Sequence, residues 1–188
     1  MDRYSRAIIL ALLAVLALTV LVLAAALVVP FKVGRSATLQ NLSGELELVR
    51  SNQPPVKLES TQDDRTTLNS GQGLRLQPAS TATVVFELDQ GRALLSGPAA
   101  LTLVESYRRA AILGHLLDSD QFDREYVLTL EQTQGTVRYL FANTNPPIEE
   151  TRITIRLPDR DYTPTAPCWL ISIDSEAHTT AQSINCQP

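Results

Sequence analysis

The run Ala7–Val29 holds no charged residue and a single polar one, Thr19. An α-helix rises about 1.5 Å per residue, so the run extends about 34 Å, enough to cross a hydrocarbon core of about 30 Å. Such a segment stays as a membrane anchor or is removed as a secretory signal. A signal has an apolar region of about 7–15 residues before a small-residue cleavage site. Ala24-Ala25-Ala26 offers such a site, but Leu27, Val28 and Val29 carry the apolar stretch past it. The expectation is an uncleaved transmembrane helix over 7–29, with a cleaved signal as the alternative. Residues 1–6 then form a short cytoplasmic tail.

About 158 of the 188 residues follow the run, which suits one compact domain with its own core. The chain has 16 Lys and Arg against 20 Asp and Glu, a net charge of −4. Binding to nucleic acid draws mainly on neutralised phosphates. Arg108-Arg109 is the one basic doublet here, so no nucleic-acid partner is expected. Arg3 and Arg6 precede the apolar run and Lys32 and Arg35 follow it, so positive charge gives no orientation. The cysteines do. Cys168 and Cys186 both lie after the run, and a sparse, even pair suits one disulfide in an oxidising compartment. Two free thiols in the cytoplasm are the alternative. The expectation is a disulfide, and with it a cell-membrane protein whose C-terminal domain is extracytoplasmic.

After an unpatterned stretch read as a linker over 30–38, strand signals recur. Leu42 to Arg50, Val56 to Glu59 and Leu74 to Gln77 alternate apolar and polar residues, and Thr83 to Leu88 is rich in β-branched and aromatic ones. Asp89-Gln90-Gly91 reads as a hairpin turn. Arg92 to Leu95 and Ala99 to Val104 read as further strands, broken by Gly97-Pro98, where proline marks a turn or an edge. Tyr126 to Leu130, Val137 to Phe141, Ile153 to Leu157 and Trp169 to Ile173 complete the series. Tyr107 to Leu117 fits either a short helix or a hairpin excursion, with strand and loop preferred. Short strands at this spacing predict an all-β domain over 39–173, a sandwich or stacked sheet, with a polar tail over 174–188.

The order of these signals resembles the FecR-type extracytoplasmic domain over roughly residues 40–173. Gly44 matches a glycine that opens an early strand, and Gly71-Gln72-Gly73-Leu74 resembles a polar Gly-Asp-x-Leu step. Val84 to Leu88, Asp89-Gln90-Gly91 and Leu94 to Pro98 resemble the block of strand, turn and Leu-rich strand; Val127 to Leu130 followed by Gly135 resembles a later strand and glycine. The turn is Asp-Gln-Gly rather than Asp-Gly, and Thr165 to Trp169 stands where the family has Gly-Thr-x-Phe. The resemblance implies a membrane-anchored β domain outside the cytoplasm, often linked to transmembrane signalling. Signalling members carry a folded cytoplasmic segment that holds a sigma factor, and residues 1–6 are too short for that role.

Chemistry-bearing residues are few. Histidine occurs twice, His115 and His178. Cys168, His178 and Cys186 fit no familiar zinc spacing. Asp118-Ser119-Asp120 with Asp123 lacks the glycine and terminal glutamate of a calcium loop. Asp63-Asp64 and Glu149-Glu150 read as loop charges, and Trp169 as a cap on the core beside Cys168. Ser96-Gly97 is not set in a nucleophile elbow. No catalytic, cofactor or metal residue is assigned, no cofactor is expected, and the site residues are the disulfide pair Cys168 and Cys186. The expected function is a non-enzymatic interaction or scaffolding module, integral to the membrane through one span. Its partner would be a protein or a cell-envelope component. The alternative is a transmembrane signalling regulator; a wall-polymer hydrolase would need an acid, base and nucleophile set that cannot be named.

Overall fold

The computed structural model describes residues 3–28, 31–51, 53–58, 66–86, 91–110, 123–141 and 150–186. Helix α1 spans Arg3–Val28. From Ile8 to Ala25 its mean hydropathy is 3.1, and all of these side chains are exposed. The Thr19 hydroxyl donates to the Val15 carbonyl at 2.7 Å, so the one polar side chain of the run is satisfied within the helix. By length and composition α1 is able to cross a bilayer.

The strands are β1 (Phe31–Gly34), β2 (Ala37–Ser43), β3 (Leu46–Arg50), β4 (Gln53–Leu58), β5 (Thr67–Leu68), β6 (Gln72–Leu76), β7 (Thr81–Phe86), β8 (Gly91–Ala110), β9 (Asp123–Phe141), β10 (Glu150–Arg156), β11 (Asp161–Tyr162), β12 (Cys168–Ile173) and β13 (Thr179–Ser183). All belong to one hydrogen-bonded sheet. The antiparallel pair β8 and β9 is its axis. The first part of β8 and the last part of β9 carry β7, β2 and β5 on one side and β12 and β13 on the other. The remaining parts carry β6, β3 and β4 on one side and β10 and β11 on the other. Beyond β6, β1 continues along the same edge of β8, with Phe31 opposite Ala110 and Gly34 opposite Tyr107.

Side chains alternate along each strand. Ala93, Leu95, Ala99, Leu101 and Leu103 of β8 are buried, as are Tyr126, Leu128, Leu130, Val137 and Tyr139 of β9. Buried residues from both parts of the sheet join in one core that includes Leu39, Leu48, Leu74, Phe86 and Ile171. The sheet therefore folds over one core as layers continuous through β8 and β9, the all-β stacked architecture that the alternation predicts.

Several expected boundaries move. The two segments Arg92 to Leu95 and Ala99 to Val104 are one strand, and Pro98 stands inside it, after a cis peptide bond. The ladder between β8 and β9 is interrupted and shifts register between Ser96 and Ala100, so Pro98, which has no N–H to donate, falls where no β9 partner is paired. The neighbouring Gly97 N–H turns to the Ser80 carbonyl at 2.8 Å. Likewise Tyr126 to Leu130 and Val137 to Phe141 merge into β9 through Gly135. Gly135 has φ +81°, and a Cβ there would collide with the Pro98 carbonyl oxygen. The glycine lets the two long strands touch at their bend.

The linker expectation over 30–38 is corrected: Phe31–Gly34 is paired strand and β2 starts at Ala37. The tail expectation over 174–188 is corrected too, because Thr179–Ser183 pairs with β12. Backbone pairing, which needs no apolar side chain, orders both stretches. Tyr107 to Ala110 is the end of β8, and residues 111–117 lie outside the described residues, as do Asp89 and Gln90.

Candidate functional site

The join between the apolar helix and the domain is direct. α1 ends at Val28 and β1 begins at Phe31. Lys32 Nζ lies 4.1 Å from the centroid of the Tyr107 ring and 3.5 Å from Glu105 Oε1. The Arg35 N–H donates to the Ser106 carbonyl at 2.8 Å. Lys32 and Glu105 are half exposed, so their ion pair adds at most about 1 kcal/mol. The backbone ladder of β1 on β8 is the main tie, and the cation over Tyr107 fixes its outer face.

This end of the sheet sorts its polar groups by strand alternation. On the outer face, Glu125 Oε2 lies 3.1 Å from Arg109 Nε and Oε1 lies 3.7 Å from Arg152 Nε. The three residues come from β8, β9 and β10, and Glu125 is nearly buried beneath its two partners. On the core face, Ser106, Arg108 and Tyr126 are buried. The Ser106 hydroxyl and the Tyr126 phenol lie 3.4 Å apart, and the Ser106 N–H donates to the Ser70 hydroxyl at 3.1 Å. Nothing in the local sequence announces this grouping, because its members are joined only by strand pairing.

A second buried polar hub sits at the bend. Gln132 is wholly enclosed. Its Nε2 donates to the Gly135 carbonyl at 2.8 Å and the Ile171 carbonyl at 3.2 Å, and its Oε1 accepts from the Tyr139 phenol at 3.0 Å. Burial pushes the Tyr139 phenol far above its ordinary pKa, so it remains a proton donor to Gln132. This hub ties β9 to β12.

Cys168 and Cys186 are bonded to each other, with their Cα atoms 5.6 Å apart. The Ile184 N–H also donates to the Cys168 carbonyl. Bonded sulfurs are not thiolate ligands, which removes the imagined zinc cluster with His178. His178 instead lies in the turn between β12 and β13, 3.4 Å from Asp174 and 3.6 Å from Glu176. The backbone N–H of His178 holds the Asp174 carboxyl below the usual range; slight desolvation opposes this and the N–H of Glu176 adds to it. Trp169 packs edge-on to Tyr162 and donates to the Ala166 carbonyl at 2.9 Å. It caps the core, as its neighbourhood suggests.

Open clefts among the described residues include two with polar linings. One, of about 390 Å³, is lined by Gly34, Arg35, Ser36, Asn69 and Ser70. The other, of about 380 Å³, lies at the bend between Gly97-Pro98 and Gly135 and includes Asp174. That carboxylate accepts two backbone N–H groups at 2.9 Å, and Ser96 lines the same cleft. No group of three or more His, Cys, Asp or Glu converges among the described residues. His115, Asp118-Ser119-Asp120, Asp63-Asp64 and Glu149 lie outside them; for Asp123 and Glu150 only the strand placement is described. Comparison with family models, curated proteins and solved structures gives no match for this chain.

Proposed function

We propose that the protein is a single-pass membrane protein whose apolar helix is retained as an anchor and whose β domain stands on the extracytoplasmic side. The domain acts there as a non-enzymatic interaction or scaffolding module for a protein or a cell-envelope component. The observation that carries this reading is the direct passage from a span-length apolar helix into a strand paired within the domain. Retention is favoured because Leu27, Val28 and Val29 carry the apolar stretch past the small-residue site Ala24-Ala25-Ala26. The disulfide supports an oxidising compartment, and the likeness in strand and glycine order to FecR-type domains agrees with that placement.

The test has two parts. Membranes washed with carbonate should retain the full-length chain; a mature N-terminus near Ala26 or Leu27 would show a cleaved signal and end the anchor reading. Solubilised membranes should then yield a partner that is captured by the intact protein. A second reading, a regulator that passes a signal through the helix, is favoured by the tie of β1 to β8 through Lys32 and Tyr107. That reading requires the partner to bind through α1, and loss of capture on replacing α1 with an unrelated span would distinguish it.

A further inference from the structure

We infer that the end of the β domain marked by Phe31, Ala110 and Asp123 rests on the bilayer, so that the lipid headgroup layer is itself a docking partner of the domain. The inference rests on the reading of α1 as a retained anchor. Its own ground is chain length and register. From Val29, the last apolar residue of the run, to Phe31 an extended chain reaches at most about 7 Å. The headgroup region adds about 5–7 Å to each side of the hydrocarbon core. Phe31 is already paired there, opposite Ala110, which in turn stands opposite Asp123. Neighbouring strands are about 4.8 Å apart, so this whole row is carried to the headgroups together.

From that row the domain extends away. Between Ala110 and Ala100, β8 covers about 33 Å at the ordinary strand rise. The bend at Gly97-Pro98 and the turn between β12 and β13, where Ile173 faces Gly135, are thereby the distal features. The proximal end has suitable chemistry. Lys32 and Arg109 face each other in register and both are about half exposed. Each has a carboxylate neighbour and still presents N–H groups to solvent, where lipid phosphates would accept them.

The experiment uses the full-length chain in phosphatidylcholine vesicles that contain a lipid with a photoactivatable diazirine in its headgroup. Floated vesicles are irradiated and the modified peptides identified by mass spectrometry. The expected result is modification of peptides holding residues 31–35 and 105–110, with residues 171–186 left unmodified. Modification confined to α1, or equal modification of 171–186 and 105–110, would overturn the inference while leaving the anchor intact. A chain that fails to float, with α1 unmodified, would overturn the anchor reading and this inference with it.

Discussion

Gln132 and Tyr139 show how a buried polar pair is tolerated in an otherwise apolar core. Each polar atom of the Gln132 amide has a partner, and the phenol of Tyr139 serves as one of them. Removing only the phenol oxygen leaves Gln132 Oε1 buried without that donor. Tyr139→Phe should therefore cost about 1–3 kcal/mol in denaturant unfolding. Gln132→Leu removes the other side of the bond and frees two carbonyls. The double variant should lose less than the sum of the singles, because it leaves no orphaned partner between them; full additivity would show that the bond is not formed. Asp174 gives a prediction of another kind. Its folded pKa lies below the ordinary value of 3.8, chiefly through the His178 N–H. Its contribution to the turn is thus complete above that value and is lost as pH falls through the lower, folded one. The protection of the Glu176 and His178 amides, exchange measured by NMR against the intrinsic rate at each pH, should fall across that acid range. Protection unchanged through it would contradict the assigned bonds.

At the scale of elements, the bend depends on close contact between two strands. Gly135→Ala would drive a methyl group into the Pro98 carbonyl and place alanine at φ +81°. The expected loss is about 3 kcal/mol or more, or failure to fold. Gly34→Ala meets open space and should change stability by no more than about 0.5 kcal/mol. The disulfide is the second elemental device. It closes a loop of 18 residues and holds the chain just past β13, a strand of mostly exposed residues, against β12. Joint Cys168→Ser and Cys186→Ser should lower stability by up to about 3 kcal/mol in the chain-entropy model, with the core retained. Alternating runs such as Ile153 to Leu157 made most strands legible, and the sparse cysteine pair made its bond legible. The continuity of β8 and β9 was not, because Gly97-Pro98 and Gly135 break strands locally and only their mutual contact reveals why they are kept. The parallel pairing of β10 with β9, and the meeting of Arg109, Glu125 and Arg152, have no local signal. They arise from where the chain returns, which alternation does not encode.

For the whole molecule, the decisive question is whether the helix and the sheet act as one body. Only two residues of sequence separate α1 from β1, and the first strand is fastened by its ladder, by Lys32 on Tyr107 and by the Arg35 bond to Ser106. On the proposed anchor reading, a flexible tether would let the domain fold and function with any anchor, whereas a fastened strand ties the fold to the anchor's exit point. On the same reading, insertion is set by the apolar run. Leu16→Arg, near its middle, should cost about 3 kcal/mol on insertion scales and release much of the protein from carbonate-washed membranes. The cysteines provide an internal report of the side reached. A chain that inserts with its domain in the oxidising compartment should show the Cys168–Cys186 linkage in non-reduced peptides. The fraction of Leu16→Arg that fails to insert should instead carry reduced thiols, open to alkylation before disruption of the cell. Equal oxidation in the inserted and non-inserted fractions would break the link drawn between the anchor, the compartment and the bond. Reduced thiols in the inserted wild-type chain would reverse the topology, placing the domain in the cytoplasm.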